Sequence, residues 1–427
     1  MRILLGWIKS VSQMRKIPEL LLPAGNLEKL EIAYLYGADA AYCGVPRFSL
    51  RARENDFTME ALEKGVTLAR QLGKKIYFTV NNIPRNSKLP SYPKYLDQMA
   101  ALKPDALIMA DPGLILLTKE AHPEIDIHIS VQTNTMNYAA VKFWKKFGAT
   151  RVILSREVSI SEIAEIKNEV PDMEIEVFVH GSICIAHSGR CFMSNYFKKR
   201  DANQGSCNNA CRDLYKVFVT NPKQNDEPME LITDEEGTFL MNSKDLRAIE
   251  FLQELCDAGV DSLKVEGRTK NDYYVGMVAR SYRHTLDNIA RGEGFDRKWL
   301  EELDKVSSRK YFSGFLSRGM EDKIPEEERN FQNNEFGTSL QMSQKYAGFV
   351  KEYKPDTKRI VIEVKNKIQK GDLMEVITAI DSNPATFTVD QIFYKQNPVE
   401  VISGGMGTVE LEVPFAIPSR SFLSKKL

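Results

Sequence analysis

Short apolar segments alternate with amphipathic segments of helical length through the first two thirds of the chain. Eight segments are predicted to be strands: Glu19–Leu22, Ala38–Cys43, Lys75–Val80, Ala106–Ala110, Ile125–Val131, Arg151–Leu154, Glu174–Val179 and Ser262–Val265. Between most of them, apolar residues recur at the spacing of a helix, in Leu27–Tyr36, Met59–Leu72, Leu114–Ala121, Tyr138–Phe147 and Ile160–Asn168. Eight strands that alternate with helices predict a parallel sheet closed into a (β/α)8 TIM-type barrel. A doubly wound open sheet is the alternative.

The connection between the seventh and eighth predicted strands is much longer than one helix requires. It runs from His180 to Asp261 and includes a stretch, Ser243–Ala258, that is predicted to be helical. Long connections in compact domains usually serve a function. This one leaves the C-terminal end of a barrel strand, which is the end that carries catalysis in TIM barrels. The active site is therefore expected there.

The pattern changes in the last quarter of the chain. A polar stretch, Glu321–Gln341, predicts a linker, and five segments with strand patterning follow it: Tyr346–Tyr353, Arg359–Lys365, Leu373–Thr378, Thr386–Phe393 and Thr408–Val413. The turn sequences between them predict a small antiparallel β-barrel. We thus predict an N-terminal extension (1–17), a TIM-barrel catalytic domain (18–320) that contains a cysteine loop (181–215), a linker (321–342) and a small β-barrel (343–427).

Composition and charge exclude few classes of function. The 427 residues are 43% hydrophobic and 27% charged, as in ordinary globular proteins, and 58 basic residues balance 58 acidic ones. Net charge therefore points neither to nucleic acid nor to a membrane, and no apolar run approaches the ~18 residues of a membrane span. The apolar stretch Ile3–Ile8 has neither the length nor the cleavage pattern of a signal peptide. We expect a cytoplasmic protein with no membrane partner.

Four of the six cysteines lie in one short segment, at Cys184, Cys191, Cys207 and Cys211. In a reducing compartment, clustered cysteines point to metal or redox chemistry. Four thiolates complete either a tetrahedral zinc site or a four-iron cluster. Because only the last two have the close spacing of a structural zinc pair, an iron–sulfur cluster is favoured over zinc, and unliganded thiols are the third possibility. Cys43 and Cys256 are expected to be small buried hydrophobic residues.

Polar side chains at the ends of predicted strands supply further candidates. Glu266 and Arg268 follow the eighth strand, where apolar packing would be normal, and are therefore predicted to be catalytic. Arginine also pairs bidentately with a carboxylate or phosphate. His180 ends the seventh strand and is predicted to bind substrate or donate a proton, with a structural histidine as the alternative. Glu19, Asp111, Arg156 and Glu157 also lie at or just beyond strand ends and are further candidates for the active site. Asn81, Gln132 and Asn134 have the same kind of position and are predicted to bind substrate.

Basic and aromatic residues gather after the second strand and within the cysteine loop. The basic residues predicted to bind substrate are Arg47, Arg51, Arg53 and Arg190. Aromatic residues are interleaved with these and with further basic residues, namely Phe48, Phe192, Tyr196, Phe197 and Tyr215. Basic and aromatic side chains around one pocket would suit a flipped or single-stranded nucleotide. A solvated surface is the alternative.

From about Pro18 to its end, the chain resembles the collagenase-like (U32) peptidase family. The resemblance rests on the segments Glu19–Ala52, Ser130–Tyr138, EVFVHGSICIAHSGRCFMS (Glu176–Ser194), GSCNNACR (Gly205–Arg212), Asn242–Leu246 and LKVEGRTKNDYY (Leu263–Tyr274). It implies an oxygen-independent RNA hydroxylase that modifies carbon 5 of the wobble uridine of tRNA, with prephenate as the hydroxyl source. It also implies a [4Fe–4S] cluster on the cysteines 184, 191 and 207, with Cys211 as the fourth ligand and Cys256 as a rival.

The family name itself implies a different function, a peptidase that acts on collagen-like substrates. The sequence contains neither His-Glu-x-x-His nor Gly-x-Ser-x-Gly, and it proposes no nucleophile–base pair. A non-catalytic RNA-binding protein with a structural cluster is the third possibility, although it would not need polar residues inside the barrel. The sequence thus favours a tRNA-modifying enzyme whose partners are tRNA and prephenate.

Overall fold

A computed structural model describes residues 16–50, 56–184, 186–213, 215, 217–219, 229–231, 243–325 and 344–426 of the chain. Eight of its strands are mutually parallel: β1 (Glu19–Ala24), β2 (Ala40–Gly44), β3 (Lys75–Val80), β4 (Ala106–Met109), β5 (Ile127–Ile129), β6 (Arg151–Ile153), β7 (Glu174–Ser182) and β11 (Ser262–Val265). Strand β11 pairs with β1 on one side and with β7 on the other, so the barrel is closed. The predicted TIM-type barrel is confirmed.

Ten helices are found in the described residues, and most connect the barrel strands. They are α1 (Leu27–Leu35), α2 (Met59–Gln71), α3 (Tyr92–Leu102), α4 (Pro112–Ala121), α5 (Tyr138–Lys146), α6 (Ile160–Glu169), α7 (Met193–Lys198), α8 (Leu252–Asp257), α9 (Asp272–Arg291) and α10 (Lys298–Asp304). Six begin after a residue whose side chain accepts a hydrogen bond from a first-turn N–H, namely Asn26, Thr58, Asp111, Asn137, Ser159 and Asn271. Asp111 is therefore a helix cap.

The long connection after β7 differs from the prediction. Ser243–Ala258 is not one helix, because it contains the strand β10 (Asp245–Arg247) before the short α8. Strand β7 extends further than expected, and β10 pairs antiparallel with its exposed edge at residues 180–182. This pairing satisfies backbone groups that would otherwise remain open. Strand β12 (Tyr311–Phe312) pairs in parallel with β10, and β8 (Val217–Val219) forms a ribbon with β9 (Met229–Leu231).

The C-terminal part folds as an antiparallel half-barrel, in agreement with the predicted β-sheet domain. Its strands are β13 (Gln344–Lys354), β14 (Arg359–Val364), β15 (Ile368–Gln369), β16 (Leu373–Ile377), β17 (Ala385–Thr388), β18 (Ile392–Tyr394), β19 (Asn397–Val399), β20 (Val401–Ile402), β21 (Thr408–Glu412) and β22 (Phe422–Lys426). Eight of these strands form one sheet in the order β17-β16-β22-β13-β14-β21-β18-β19, and β15 pairs with β20. The predicted strand Thr386–Phe393 is divided between β17 and β18, and β22 was not predicted.

The half-barrel packs against the TIM barrel through a shared core. Phe349, Ile377 and Phe422 belong to the hydrophobic cluster of the barrel rather than to that of the sheet. Arg280 of α9 is fully buried and donates hydrogen bonds to the carbonyl oxygens of Asp381 and Ser382. The predicted extension (1–17) and linker (321–342) lie largely outside the described residues, and the predicted domain boundaries stay a prediction.

Candidate active site

A cavity of about 160 Å³ opens at the C-terminal ends of the barrel strands. Every barrel strand except β1 contributes to its wall a residue of the strand itself or of the loop that follows. The lining includes Tyr42, Thr79, Asn81, Gln132, Arg156, Phe178, Cys184, Cys191, Cys207, Cys211, Arg212, Lys264, Glu266 and Arg268. This is the end of the barrel at which TIM-barrel enzymes carry their active sites.

All four clustered cysteines lie in the wall of this cavity, and none is in a disulfide. Burial raises the pKa of the Cys211 thiol, and repulsion from the thiols of Cys184, Cys207 and Cys191 raises it further, so the four are within electrostatic range of one another. Among the described residues, no group of three or more Cys, His, Asp or Glu side chains is arranged closely enough to hold a metal ion. Cys43 is fully buried in β2, and Cys256 packs against the barrel core.

Specific contacts hold the cysteine loop over the cavity. Ser188 has a left-handed φ of 43°, and its backbone N–H donates to Glu157 over 2.8 Å. The side-chain amide of Asn203 donates to the Cys191 carbonyl over 3.2 Å. Gly205 has a φ of +83°, and a Cβ there would lie 2.7 Å from the Leu50 carbonyl oxygen. The loop therefore packs so closely on the β2 connection that only glycine fits.

Glu266 and Arg268, the predicted catalytic residues, both lie in the cavity wall. Arg268 is buried, and its guanidinium donates hydrogen bonds to Ser49 and Thr79 over 3.2 and 3.0 Å. Glu266 accepts a hydrogen bond from the hydroxyl of Tyr42 over 3.3 Å. The two charged groups are thus held in the cavity wall by hydroxyl groups of β2, of the loop that follows it and of β3.

Of the predicted substrate-binding amides, Asn81 and Gln132 line the cavity, whereas Asn134 does not. The side-chain oxygen Oδ1 of Asn81 accepts a hydrogen bond from the Leu50 N–H over 3.2 Å, which holds the β2 connection in place. Asn134 donates to the ring nitrogen Nδ1 of His187 over 2.9 Å and to its backbone carbonyl. It therefore positions the cysteine loop instead of facing the cavity.

His180 does not line the cavity, and it lies within β7, which continues two residues beyond it to Ser182 instead of ending there as predicted. Its ring is buried among the rings of Tyr274, Tyr282 and Tyr311, with centroids 5.3 to 5.9 Å away. Burial lowers the pKa of His180 to about 3. The side chain is therefore a neutral, buried base on the outer side of the barrel, and its predicted catalytic role stays a prediction.

Of the predicted basic residues that the structure describes, neither Arg47 nor Arg190 lines the cavity. Arg190 is exposed, and its Nε donates to the Gln132 carbonyl over 2.8 Å. Arg47 is exposed near the ring of Tyr95. Arg51 and Arg53 lie outside the described residues. On α7 and just before it, the side chains of three aromatic residues are exposed, namely Phe192, Tyr196 and Phe197.

A buried charge network below the cavity was not predicted from the sequence. Lys264 lies in the cavity wall and donates to Glu176 over 2.7 Å, and Glu176 also accepts from Arg151 over 3.0 Å. Arg151 in turn contacts Glu19 over 2.7 Å, which places Glu19 inside the barrel at the opposite end from the cysteines. Burial lowers the pKa of Lys264, while Glu176 opposes this effect. The only signal in the sequence is the alternation in Lys264-Val265-Glu266, which gives Lys264 an inward position.

Comparison with known proteins assigns the chain to a protein family. The model of peptidase family U32 matches residues 25–325, and that of the peptidase family U32 C-terminal domain matches residues 342–423. The chain belongs to peptidase family U32. The family assignment made from the cysteine-loop motifs is thereby confirmed. In the described part of this family member, no helix is long and apolar enough to cross a membrane.

Relatives in this family have different names. The chain is 44% identical to the tRNA hydroxylation protein P of Escherichia coli, over 93% of this chain and 94% of that protein. It is 39% identical to the tRNA hydroxylation protein P1 of Bacillus subtilis, over 84% and 83% of the two chains. A protein of Porphyromonas gingivalis named collagenase is 32% identical over 70% of this chain and 73% of its own length.

Proposed function

We propose that this protein is a cytoplasmic tRNA-modifying enzyme that hydroxylates carbon 5 of the wobble uridine without molecular oxygen. The observation that carries the proposal is the cavity at the C-terminal ends of the barrel strands, whose wall contains four cysteines, Gln132 and Arg268. The names of the relatives that match nearly the whole chain support a role in tRNA hydroxylation. The carbon atom, the wobble position and the independence from oxygen are our own proposals and go beyond those names.

We propose a [4Fe–4S] cluster as the cofactor, held by Cys184, Cys191, Cys207 and Cys211. The donors fit in number and kind, because four thiols in one cavity wall are the ligands that such a cluster requires, although no three of them are grouped closely enough among the described residues to hold a metal ion. The surroundings also fit: the Asn209 N–H lies 3.4 Å from the Cys207 sulfur and the Ser194 hydroxyl 3.6 Å from it. Hydrogen bonds to the sulfurs tune the potential of such clusters. When bound, the cluster would supply electron transfer beside the substrate.

We propose prephenate, a dicarboxylate, as the hydroxyl donor. Arginine is the residue that best matches a carboxylate, because its planar fork can donate two parallel hydrogen bonds. Three arginines line the cavity, namely Arg156, Arg212 and Arg268. Of these, Arg268 is held most firmly by hydroxyl groups, so we assign it the carboxylate contact. Glu266 lies in the same wall, and with Tyr42 it would hold or move a proton at that rim.

The surface around the cavity suits a single-stranded segment of RNA. Phe192 and Tyr196 are 78% and 82% exposed, although aromatic rings in a protein of this kind are normally buried. Lys198, Lys199 and Arg200 follow directly in the sequence. Exposed rings next to cationic side chains stack on bases and contact phosphates. We propose that this surface holds the anticodon loop.

A peptidase is the alternative that the family name and the relative named collagenase suggest. A serine or cysteine peptidase needs a nucleophile hydrogen-bonded to a base. Among the described residues, the hydrogen-bond partners of the histidines are Asp97, Glu124, Asn134 and Tyr282, and none is a serine, threonine or cysteine. The geometry therefore supports the hydroxylase better.

The experiment that tests this proposal is deletion of the gene, followed by mass spectrometry of nucleosides from bulk tRNA. We expect 5-hydroxyuridine derivatives to disappear and to return with the wild-type gene, but not with Cys191→Ser. Any second family member in the same genome must be deleted first. Unchanged nucleosides after that control, together with peptide cleavage that one point mutation abolishes, would favour the peptidase.

A further inference from the structure

The side-chain amide of Gln132 is the least satisfied polar group in the cavity wall. The residue is 3% exposed, and neither its Nε2 nor its Oε1 has a hydrogen-bond partner among the described residues. A buried polar atom without a partner destabilises a fold by about 1–3 kcal/mol. Native proteins keep few such groups, and each needs an explanation. Since Gln132 lies in the wall of a cavity, a bound ligand is the natural partner.

The backbone around Gln132 shows that the unpaired amide does not result from a loose loop. Residues Val131–Thr133 form a 3-10 turn, and the Ser130 side chain accepts a hydrogen bond from the Gln132 N–H. The Gln132 carbonyl accepts from Arg190 Nε over 2.8 Å. Both backbone polar groups are therefore satisfied and the position is fixed. Only the side chain is left for an outside partner.

The chemistry of that partner follows from the amide and from its neighbours. A primary amide offers one face with a donor and an acceptor side by side, so it forms a two-point pair with a ring edge that carries N–H next to C=O. In the wall of the same cavity, the guanidinium of Arg156 lies 3.9 Å from the centroid of the Phe178 ring. No described residue forms an ion pair with Arg156, and guanidinium planes stack on bases. The two features together favour a flat heterocycle with an imide edge.

We infer that Gln132 reads the hydrogen-bonding edge of one pyrimidine base, which leaves its stack in the RNA and enters the cavity next to Arg156. The inference rests on the function proposed above and adds the residue that recognises the base. Enzymes that modify a base commonly extrude it into such a pocket. Because no partner fixes the orientation of the amide, this contact recognises the ring edge and does not by itself separate uracil from cytosine.

The test measures binding rather than turnover, with the full-length protein and an anticodon stem-loop RNA whose wobble base is uridine. A second RNA carries N3-methyluridine at that position, which removes the N–H. We expect methylation to weaken binding to the wild-type protein roughly 5- to 150-fold, the range for a good two-point contact. Gln132→Ala, which removes the amide and leaves room for the methyl group, should bind both RNAs equally and weakly. Gln71→Ala, an exposed glutamine of α2, is the matched control.

Each outcome decides a different point. An equal methylation penalty in wild type and Gln132→Ala, or no penalty in wild type, would overturn the inference while leaving the tRNA function intact. A complete lack of RNA binding by the wild-type protein would instead remove the proposed function. Gln132→Met keeps the size of the side chain and removes its polar atoms, so its Tm should equal or exceed that of wild type. A clearly lower Tm would make Gln132 a structural residue.

Discussion

Replacement of Glu176 by glutamine should be among the most damaging isosteric changes in the barrel. Glu176 has no exposed surface and accepts hydrogen bonds from Lys264 over 2.7 Å and from Arg151 over 3.0 Å. A glutamine has one acceptor and one donor at these positions, so one cation would face an N–H₂ group. Breaking a buried ion pair by removing one partner costs about 3–5 kcal/mol. We expect a loss of this size in the free energy of unfolding.

The assay is urea denaturation of the full-length protein, with an exposed pair as the control. Lys142 and Glu169 are 2.8 Å apart, almost the same distance, but both side chains are about half exposed. Glu169→Gln should therefore cost less than about 1 kcal/mol. Adding Lys264→Met to Glu176→Gln should restore part of the loss, because it removes the unpaired ammonium group. Equal losses for Glu176→Gln and Glu169→Gln would refute the reasoning.

Three further predictions concern the cofactor, acid stability and the domain contact. Protein purified without oxygen should be brown and contain about four iron and four sulfide per chain. Serine at any of the four clustered cysteines should abolish the colour, whereas Cys43→Ser and Cys256→Ser should not. Colourless protein that contains zinc would contradict this prediction. Because burial lowers the pKa of His180 to about 3 from an ordinary 6.5, the unfolded chain binds the proton first as the pH falls. From this residue alone, the free energy of unfolding should decline below pH ~6.5 by up to ~1.4 kcal/mol per pH unit. His180→Phe should make the decline shallower than in wild type, as measured by urea denaturation at several pH values. Arg280→Met leaves buried carbonyls and Glu302 without their cation, so it should lower the Tm far more than Arg291→Met at an exposed pair; a similar effect of both would show that the contact does not hold the half-barrel.

The barrel could be predicted because each strand and helix carries its own local pattern. Lys75–Val80 and Ser262–Val265 were predicted to the residue. Strand β22 was missed because Phe422–Lys426 contains only two apolar residues. It is a strand because it pairs with β13 and β16, which are distant in the sequence. Long-range pairing of this kind leaves no local signal.

The site could be predicted as far as residue type and strand ends allowed. The cysteine spacing led to four residues that line one cavity. His180 lies away from the cavity wall because of the strand register: Lys264 pairs with Phe178 but Val265 pairs with His180, so β7 has an extra residue at this point. Such a bulge turns the following side chain to the other face of the strand. The Lys264–Glu176 pair was equally hidden, because its members are 88 positions apart in the sequence.

The most direct test of the proposed activity is reconstitution with purified components. Protein prepared without oxygen would be incubated with prephenate and tRNA from the deletion strain, and the digested nucleosides analysed by mass spectrometry. We predict 5-hydroxyuridine at the wobble position, dependent on prephenate and absent with Cys191→Ser. A preparation with full iron and sulfide content that binds tRNA but leaves the uridine unmodified would contradict the account.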